Sequence, residues 1–229
     1  MAPVFIDLSQ TISNDMPGFR LKNAAGELVQ FAARIQPAIT HEQSRINYDG
    51  KAEFEITEVA FHTSIGTYLD SPRHRFVDMP DIAALPLDGL ILDGICIDAT
   101  FARPDRPLTV ADLPANIDLE SKAVLIHFGW DRYWGDEEYF TYPYMDRDLI
   151  QAFIARGVKL IGLDTINADA TSDKERPAHT WLLKRGIHIV ENLTGLSALK
   201  GKSFRFYAIP PKVAGAAAFP IRAFAELGS

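Results

Sequence analysis

A single cysteine among 229 residues leaves no partner for an intrachain disulfide, so the fold must rest on packing and hydrogen bonds. That residue, Cys96, lies inside the apolar run ILDGICIDAT and reads as a buried thiol with nothing nearby to activate it as a nucleophile. No apolar run approaches the roughly 20 residues of a membrane-spanning helix, so no membrane partner is expected. The opening MAPVFIDLSQTI lacks a basic stretch followed by a long apolar one, which reads as no secretory signal and a cytoplasmic location. Positive charge is scarce too: 23 Lys and Arg against 30 Asp and Glu give a formal net charge of -7. Nucleic acid is therefore not an expected partner, because phosphate binding needs clustered cations to displace counterions. Also missing are a Gly-x-Ser-x-Gly elbow, a Walker-type phosphate loop and a dinucleotide fingerprint.

What is present is ordinary for a globular chain, 47% hydrophobic and 23% charged, and is expected to form one domain over residues 1–229. Eight segments rich in β-branched and aromatic residues read as strands: 4–12, 53–61, 94–100, 123–130, 158–164, 187–193, 204–210 and 221–227. The clearest helix lies in MDRDLIQAFIARGVKLIG, with Asp146 as N-cap, Gly157 past its end and an apolar face of Leu149, Ile150, Phe153 and Ile154. A shorter one, RPAHTWLLKRG, has Pro177 at an early position and Gly186 as its stop. Strand, helix, strand, helix, strand from 123 to 193 implies βαβ crossovers, and the strand-rich flanks imply added antiparallel pairing. The expected class is a mixed α/β domain, with residues 13–52, rich in Asn, Gly, Gln and Pro, as a mobile loop or lid.

Candidate chemistry concentrates in FHTSIGTYLDSPRHRF, residues 61–76. Asp70 and His74 flank Pro72, whose fixed φ stiffens the turn between them. A carboxylate and an imidazole held this way can be metal ligand and proton shuttle; an Asp capping backbone amides beside an exposed His is the competing reading. Strand alternation points His62 and Ser64 to one face, as pocket residues or as semi-polar filler. In PAHTWLLKRGIHIVENL, His179 lies in the short helix, and Glu191 ends a strand where a buried carboxylate needs a partner such as a metal ion. His188 reads as structural. Asp164 and Asp169 either hold a ligand imidazole from behind or cap turns. The aromatic FGWDRYWGDEEYFTYPY, with Trp130 and Trp134, reads as a wall for a planar substrate or as plain core.

Together with DLSQTI, HFGWDRYWGDEEYF, RGVKLIGLDT and FYAIPPKVAGAAAFPIRAFA, these segments resemble, in order and over most of the chain, the metal-dependent cyclase family. Bacterial kynurenine formamidases and isatin hydrolases belong to that family. Its hallmark, His-x-Gly-Thr-His-x-Asp-x-Pro-x-His followed by a His and a Glu twelve apart, falls on Asp70, His74, His179 and Glu191. The resemblance implies Asp70, His179 and Glu191 as metal ligands and His74 as the proton-transferring residue. The first two motif histidines fall on Ser64 and Tyr68, so one of the family's two metal positions reads as dismantled.

The resemblance implies a mixed or barrel-like sheet with flanking helices, the swivelling β/β/α fold, assembled as a homodimer or homotetramer. The expected cofactor is one divalent metal per chain, zinc or manganese. The expected activity is metal-dependent hydrolysis of a small cyclic or aromatic amide or lactam, arylformamidase-like, with an ester or lactone as variant. Tyr68 is expected to orient the substrate carbonyl or stabilise an oxyanion, with Ser64, His62, Trp130 and Trp134 on the substrate. Two rivals stand beside this reading. One is a catalytically retired binder of small molecules, and the other a metal-free acid-base enzyme using Asp70, His74 and Tyr68.

Overall fold

The computed structural model describes residues 2–114 and 116–228. Among them thirteen strands form: β1 (Val4–Asp7), β2 (Arg20–Lys22), β3 (Leu28–Gln30), β4 (Ala33–Ile39), β5 (Ile56–Phe61), β6 (Tyr68–Asp70), β7 (Ile91–Asp98), β8 (Ala123–His127), β9 (Leu160–Leu163), β10 (His188–Glu191), β11 (Phe204–Tyr207), β12 (Ala218–Pro220) and β13 (Phe224–Leu227). Nine of them make one sheet in the order β1-β13-β11-β7-β8-β9-β10-β6-β12. The four central strands β7, β8, β9 and β10 run parallel, and antiparallel strands extend the sheet on both sides. Each of the eight strand segments read from the sequence contains a strand, and the mixed sheet is the expected class.

The centre is parallel because its strands are apolar on both faces, as crossover helices and loops require. In β8, Ala123 and Leu125 join one core cluster while Val124 and Ile126 join the other, all four fully buried. Helix α1 (His41–Arg45) is short; helix α2 (Arg147–Ala155) lies in the β8-to-β9 crossover. Asp146 caps α2 by accepting the Leu149 N–H at 2.8 Å, and Gly157, at φ +70, lets the chain turn out of it. Leu149, Ile150 and Phe153 are fully buried on its inner face. Each buried side chain of that size contributes about 1.5–3 kcal/mol relative to exposure.

Two expectations change. Residues 13–52 hold β2, β3, β4 and α1, with β2 paired to β3 and β4 to β5, where a loop was expected. Pro37 hid β4: it sits where the β4–β5 register shifts between Pro37 and Ile39, a bulged edge that tolerates a missing N–H. The short second helix also differs, forming a π-type turn over Ala178–Leu182. Turns of this kind are rare and recur at functional sites.

Candidate functional site

Strand alternation builds the site. On β6, Leu69 packs into the core behind the sheet, so Tyr68 and Asp70 face the other way. On β10 the same face carries Ile189 and Glu191, and the antiparallel register sets Glu191 opposite Tyr68 and Ile189 opposite Asp70. Directly opposed residues on one face touch: the Tyr68 hydroxyl donates to Glu191 Oε2. Behind them Gly66, at φ +57, turns the chain so that its carbonyl accepts the Asn192 side-chain amide at 2.6 Å. The Thr67 hydroxyl donates to the Asn192 carbonyl at 2.6 Å. The Gly-Thr pair thus ties β6 to the end of β10.

Two histidines arrive from outside the sheet. The turn Pro72–His74 brings His74 Nδ1 to 3.3 Å from Asp70 Oδ1, with the imidazole 34% exposed. The π-turn brings His179 Nε2 to 3.5 Å from Asp70 Oδ2 and 3.4 Å from Glu191 Oε1. Asp169 orients this turn: its carboxylate accepts the Ala178 N–H at 2.6 Å, the His179 N–H at 3.2 Å and His179 Nδ1 at 2.7 Å. A carboxylate only accepts, so the proton sits on Nδ1 and Nε2 is turned toward Asp70. Of the two roles open to Asp169 in the sequence, it plays both; Asp164 instead caps a turn through the N–H groups of Phe128, Gly129 and Trp130.

The cluster carries excess negative charge. Burial opposes a charge on His179, but its hydrogen bond to Asp169 and the proximity of Asp70 and Glu191 outweigh that and push it up to about 10. Burial, reinforced by Asp70, pushes Glu191 up to about 7. Burial and the Glu191 and Asp70 charges raise Tyr68 well above its ordinary value, so it stays a hydroxyl. Its one O–H is committed to Glu191, so donating to an oxyanion requires that bond to exchange.

The donor set fits a divalent cation. Asp70 is fully buried, yet neither carboxylate oxygen has a hydrogen-bond partner, a costly state for a carboxylate unless a cation compensates it. Ligand atoms of Asp70, His74 and His179 lie within 4.8 Å of one another. Bonds of about 2.0–2.1 Å in a tetrahedral site put ligand atoms about 3.3 Å apart, which the 3.3 Å and 3.5 Å approaches of His74 and His179 to the two Asp70 oxygens come near. Glu191 borders this trio, with Oε1 3.4 Å from His179 Nε2, while Oε1 also accepts the Ala168 N–H at 2.8 Å and Oε2 the Tyr68 hydroxyl.

A cavity of about 210 Å³ opens onto the cluster. Phe19, Leu21 and Phe31 form an apolar wall, and Ser64, Tyr68, His74, Arg75, Asn167, Arg176 and His179 supply the polar lining. Ser64 and Tyr68, two of the candidate residues, thus lie in the lining of this cavity. His62 is not in the lining: β5 stops at Phe61, alternation ends there, and His62 stacks on Phe31 at 4.9 Å while its Nδ1 takes the Ala32 N–H at 3.1 Å. Trp130 and Trp134 also lie elsewhere. Trp130 is buried against Tyr133, and Trp134 packs edge-on to Tyr139 at 5.1 Å. The wall comes instead from the 13–52 segment, and its polar composition concealed it. A larger groove of about 840 Å³, beside Cys96 and Phe204, contains no histidine, and burial pushes the Cys96 thiol up to about 12.

A family model described as "Putative cyclase" matches residues 6–170. A kynurenine formamidase of Bordetella petrii is 30% identical over 179 residues, covering 76% of this chain and 81% of its own. An uncharacterized protein of Methanocaldococcus jannaschii is 30% identical over 181 residues, covering 76% and 84%. Isatin hydrolase A from Ralstonia solanacearum shares the fold at a TM-score of 0.85 and 22% identity, over 99% of this chain and 92% of that one. With the family pattern spanning well over half of its residues, on a sheet of the same architecture, this chain belongs to the cyclase family.

Proposed function

We propose that this chain is a metal-dependent hydrolase of a small amide or lactam, of arylformamidase type, with an ester or lactone as the variant substrate. The observation that carries the reading is Asp70, a buried carboxylate without a hydrogen-bond partner between His74 and His179. Relatives named kynurenine formamidase support it, as does a fold neighbour described as an isatin hydrolase bound to the product analogue thioisatinate. The proposed cofactor is one zinc or manganese ion, held by Asp70 and His179. Glu191, whose Oε1 lies 3.4 Å from His179 Nε2, is the further ligand implied by the family resemblance, which leaves His74 beside the site for proton transfer. When bound, the ion supplies Lewis acidity toward a carbonyl oxygen and toward the attacking water.

The chain's own groups do the rest. His74, the solvent-open member of the trio, carries the proton between water and leaving group, a role typically worth about 10²–10⁴ in rate. Asp169 keeps the His179 Nδ1 proton in place. Tyr68, its hydrogen spent on Glu191, turns oxygen lone pairs to the cavity and orients the substrate beside Ser64. Phe19, Leu21 and Phe31 seat a planar apolar group and exclude water.

The reading treats residues 1–229 as one domain, supported by a sheet that draws strands from both ends of the chain. Among the described residues no helix is long and apolar enough to cross a membrane; a cytoplasmic setting fits the single free thiol, Cys96, which is half-buried where the sequence suggested full burial. Assembly as a homodimer or homotetramer is supported by Ile46, Tyr48, Ile56 and Val59, exposed near or on the β4–β5 arm, and is checked by light scattering.

The competing reading is metal-free acid-base chemistry by Asp70, His74 and Tyr68, or binding without turnover. The Tyr68–Glu191 bond favours it, since it occupies a carboxylate that the family pattern gives to the metal. Protein purified without added metal or a metal-affinity tag is expected to carry about one Zn or Mn per chain. Asp70→Ala is expected to lose both the ion and turnover of formanilide. Protein still empty after soaking with both ions would transfer the assignment to the competing reading.

A further inference from the structure

Two guanidinium groups line a cavity whose chemistry needs none. Arg176 is held in place by its neighbours: one nitrogen donates to Asn167 Oδ1 at 2.7 Å, and another lies 3.4 Å from Asp169 Oδ2. Its backbone sits at φ +50 just before Pro177, a left-handed conformation that costs a non-glycine residue about 1–3 kcal/mol. Asp169 compensates its charge. Arg75 is different. Its Nε donates to the Thr180 hydroxyl at 3.1 Å and its Nη2 to the Glu175 carbonyl at 3.4 Å, both neutral acceptors.

Among the described residues no carboxylate comes within 4.0 Å of Arg75, an exposed side chain; Arg73, Arg103, Arg132, Arg156 and Arg185 share that lack of a partner, but they are not in the cavity lining. Thr180 is itself fixed, donating to the Glu175 carbonyl at 2.6 Å. The guanidinium at the rim of the cavity is thus oriented by neutral partners, and its charge is left for something else. Asp169 already offsets Arg176, so Arg75 is the guanidinium of the cavity lining whose charge no carboxylate among the described residues meets.

We propose that Arg75 is a specificity-determining residue that anchors an anionic group, a carboxylate, on the substrate away from the bond that is cut. The proposal rests on the reading of this cavity as the substrate site. A planar guanidinium pairs with a carboxylate through parallel hydrogen bonds, which fixes orientation as well as affinity. Arg176 lies across the same lining and adds to the field without being free to pair fully.

The test uses matched neutral and anionic probes on metal-loaded protein. Turnover of formanilide is compared with that of formamidobenzoate, and binding of benzamide with that of benzoate, for wild type, Arg75→Gln and Arg75→Lys. Wild type is expected to prefer the anion in each pair by about tenfold or more. Arg75→Gln is expected to lose that preference through KM, and Arg75→Lys to recover part of it. A discrimination ratio unchanged in Arg75→Gln would overturn the anchor, including the case in which benzoate binds through the metal. No turnover of either amide, with benzoate binding that still depends on Arg75, would sink the hydrolase reading and leave the anchor standing.

Discussion

Tyr68 shows how one residue's role depends on the atom across from it. Where the family pattern has a histidine, this chain has Tyr68, expected from the sequence to orient a carbonyl or stabilise an oxyanion; alternation on β6 and the register with β10 spend its proton on Glu191. Removing that hydroxyl leaves Glu191 Oε2 buried without its donor, and an unsatisfied buried acceptor costs about 1–3 kcal/mol. Tyr68→Phe is therefore expected to lower the unfolding free energy by that amount at neutral pH, read as a lower urea midpoint. An unshifted midpoint would mean that the bond does not form in solution. Glu191 was singled out by the residues themselves, because a charged side chain ending an apolar strand demands a partner, whereas Asp70 and His179 were marked as ligands only by the resemblance to the family motif. Arg75 and Arg176 were not legible, because an arginine in a turn looks the same whether it faces water or a cavity.

The element that decides the site is the π-turn at Ala178–Leu182. Pro177 and Gly186 mark its limits in the sequence, but Asp169, nine residues upstream of Ala178, sets its shape by accepting two of its N–H groups. The same carboxylate orients His179, so helix geometry and imidazole tautomer are coupled. Asp169→Asn keeps the size of the side chain but replaces one acceptor with a donor facing those N–H groups. Loss of such a supporting partner commonly costs 10–100-fold, on the order of that factor being expected here, in metal affinity. Competition against a chelator of known affinity measures it; wild-type affinity would reduce Asp169 to a turn cap. Helix α2, by contrast, was readable end to end, because its cap, its apolar face and its stop are all local.

Across the whole molecule the sheet separates two environments. His188 occupies β10 three residues before Glu191 but faces the other core, buried, with Nδ1 lacking a partner. Burial depresses it to about 4. In the unfolded chain it titrates near about 6.5, so the unfolded state binds the extra proton between those values. The folded state is at full advantage above about 6.5, loses stability as pH falls toward about 4, and gains no further loss from this group below that. The total is about 3 kcal/mol for a shift of this size. Chemical denaturation from pH 7 to pH 4 is expected to show it, with a flatter profile in His188→Gln; parallel profiles would assign the acid sensitivity elsewhere.

The sequence by itself determined the elements whose causes are local: buried apolar strands, a capped helix, a stiff Asp-Ser-Pro-Arg-His turn, and the residue types a metal site requires. Its one cysteine also excludes an intrachain disulfide. Only the tertiary structure decided which groups meet. Tyr68 reaches Glu191 across 123 positions, Phe19 and Phe31 displace Trp130 and Trp134 as the cavity wall, and Arg75 is left without a carboxylate. The reason is physical: side-chain alternation within a strand is a property of the chain, but the register between strands far apart in sequence is chosen by the packing of the whole sheet.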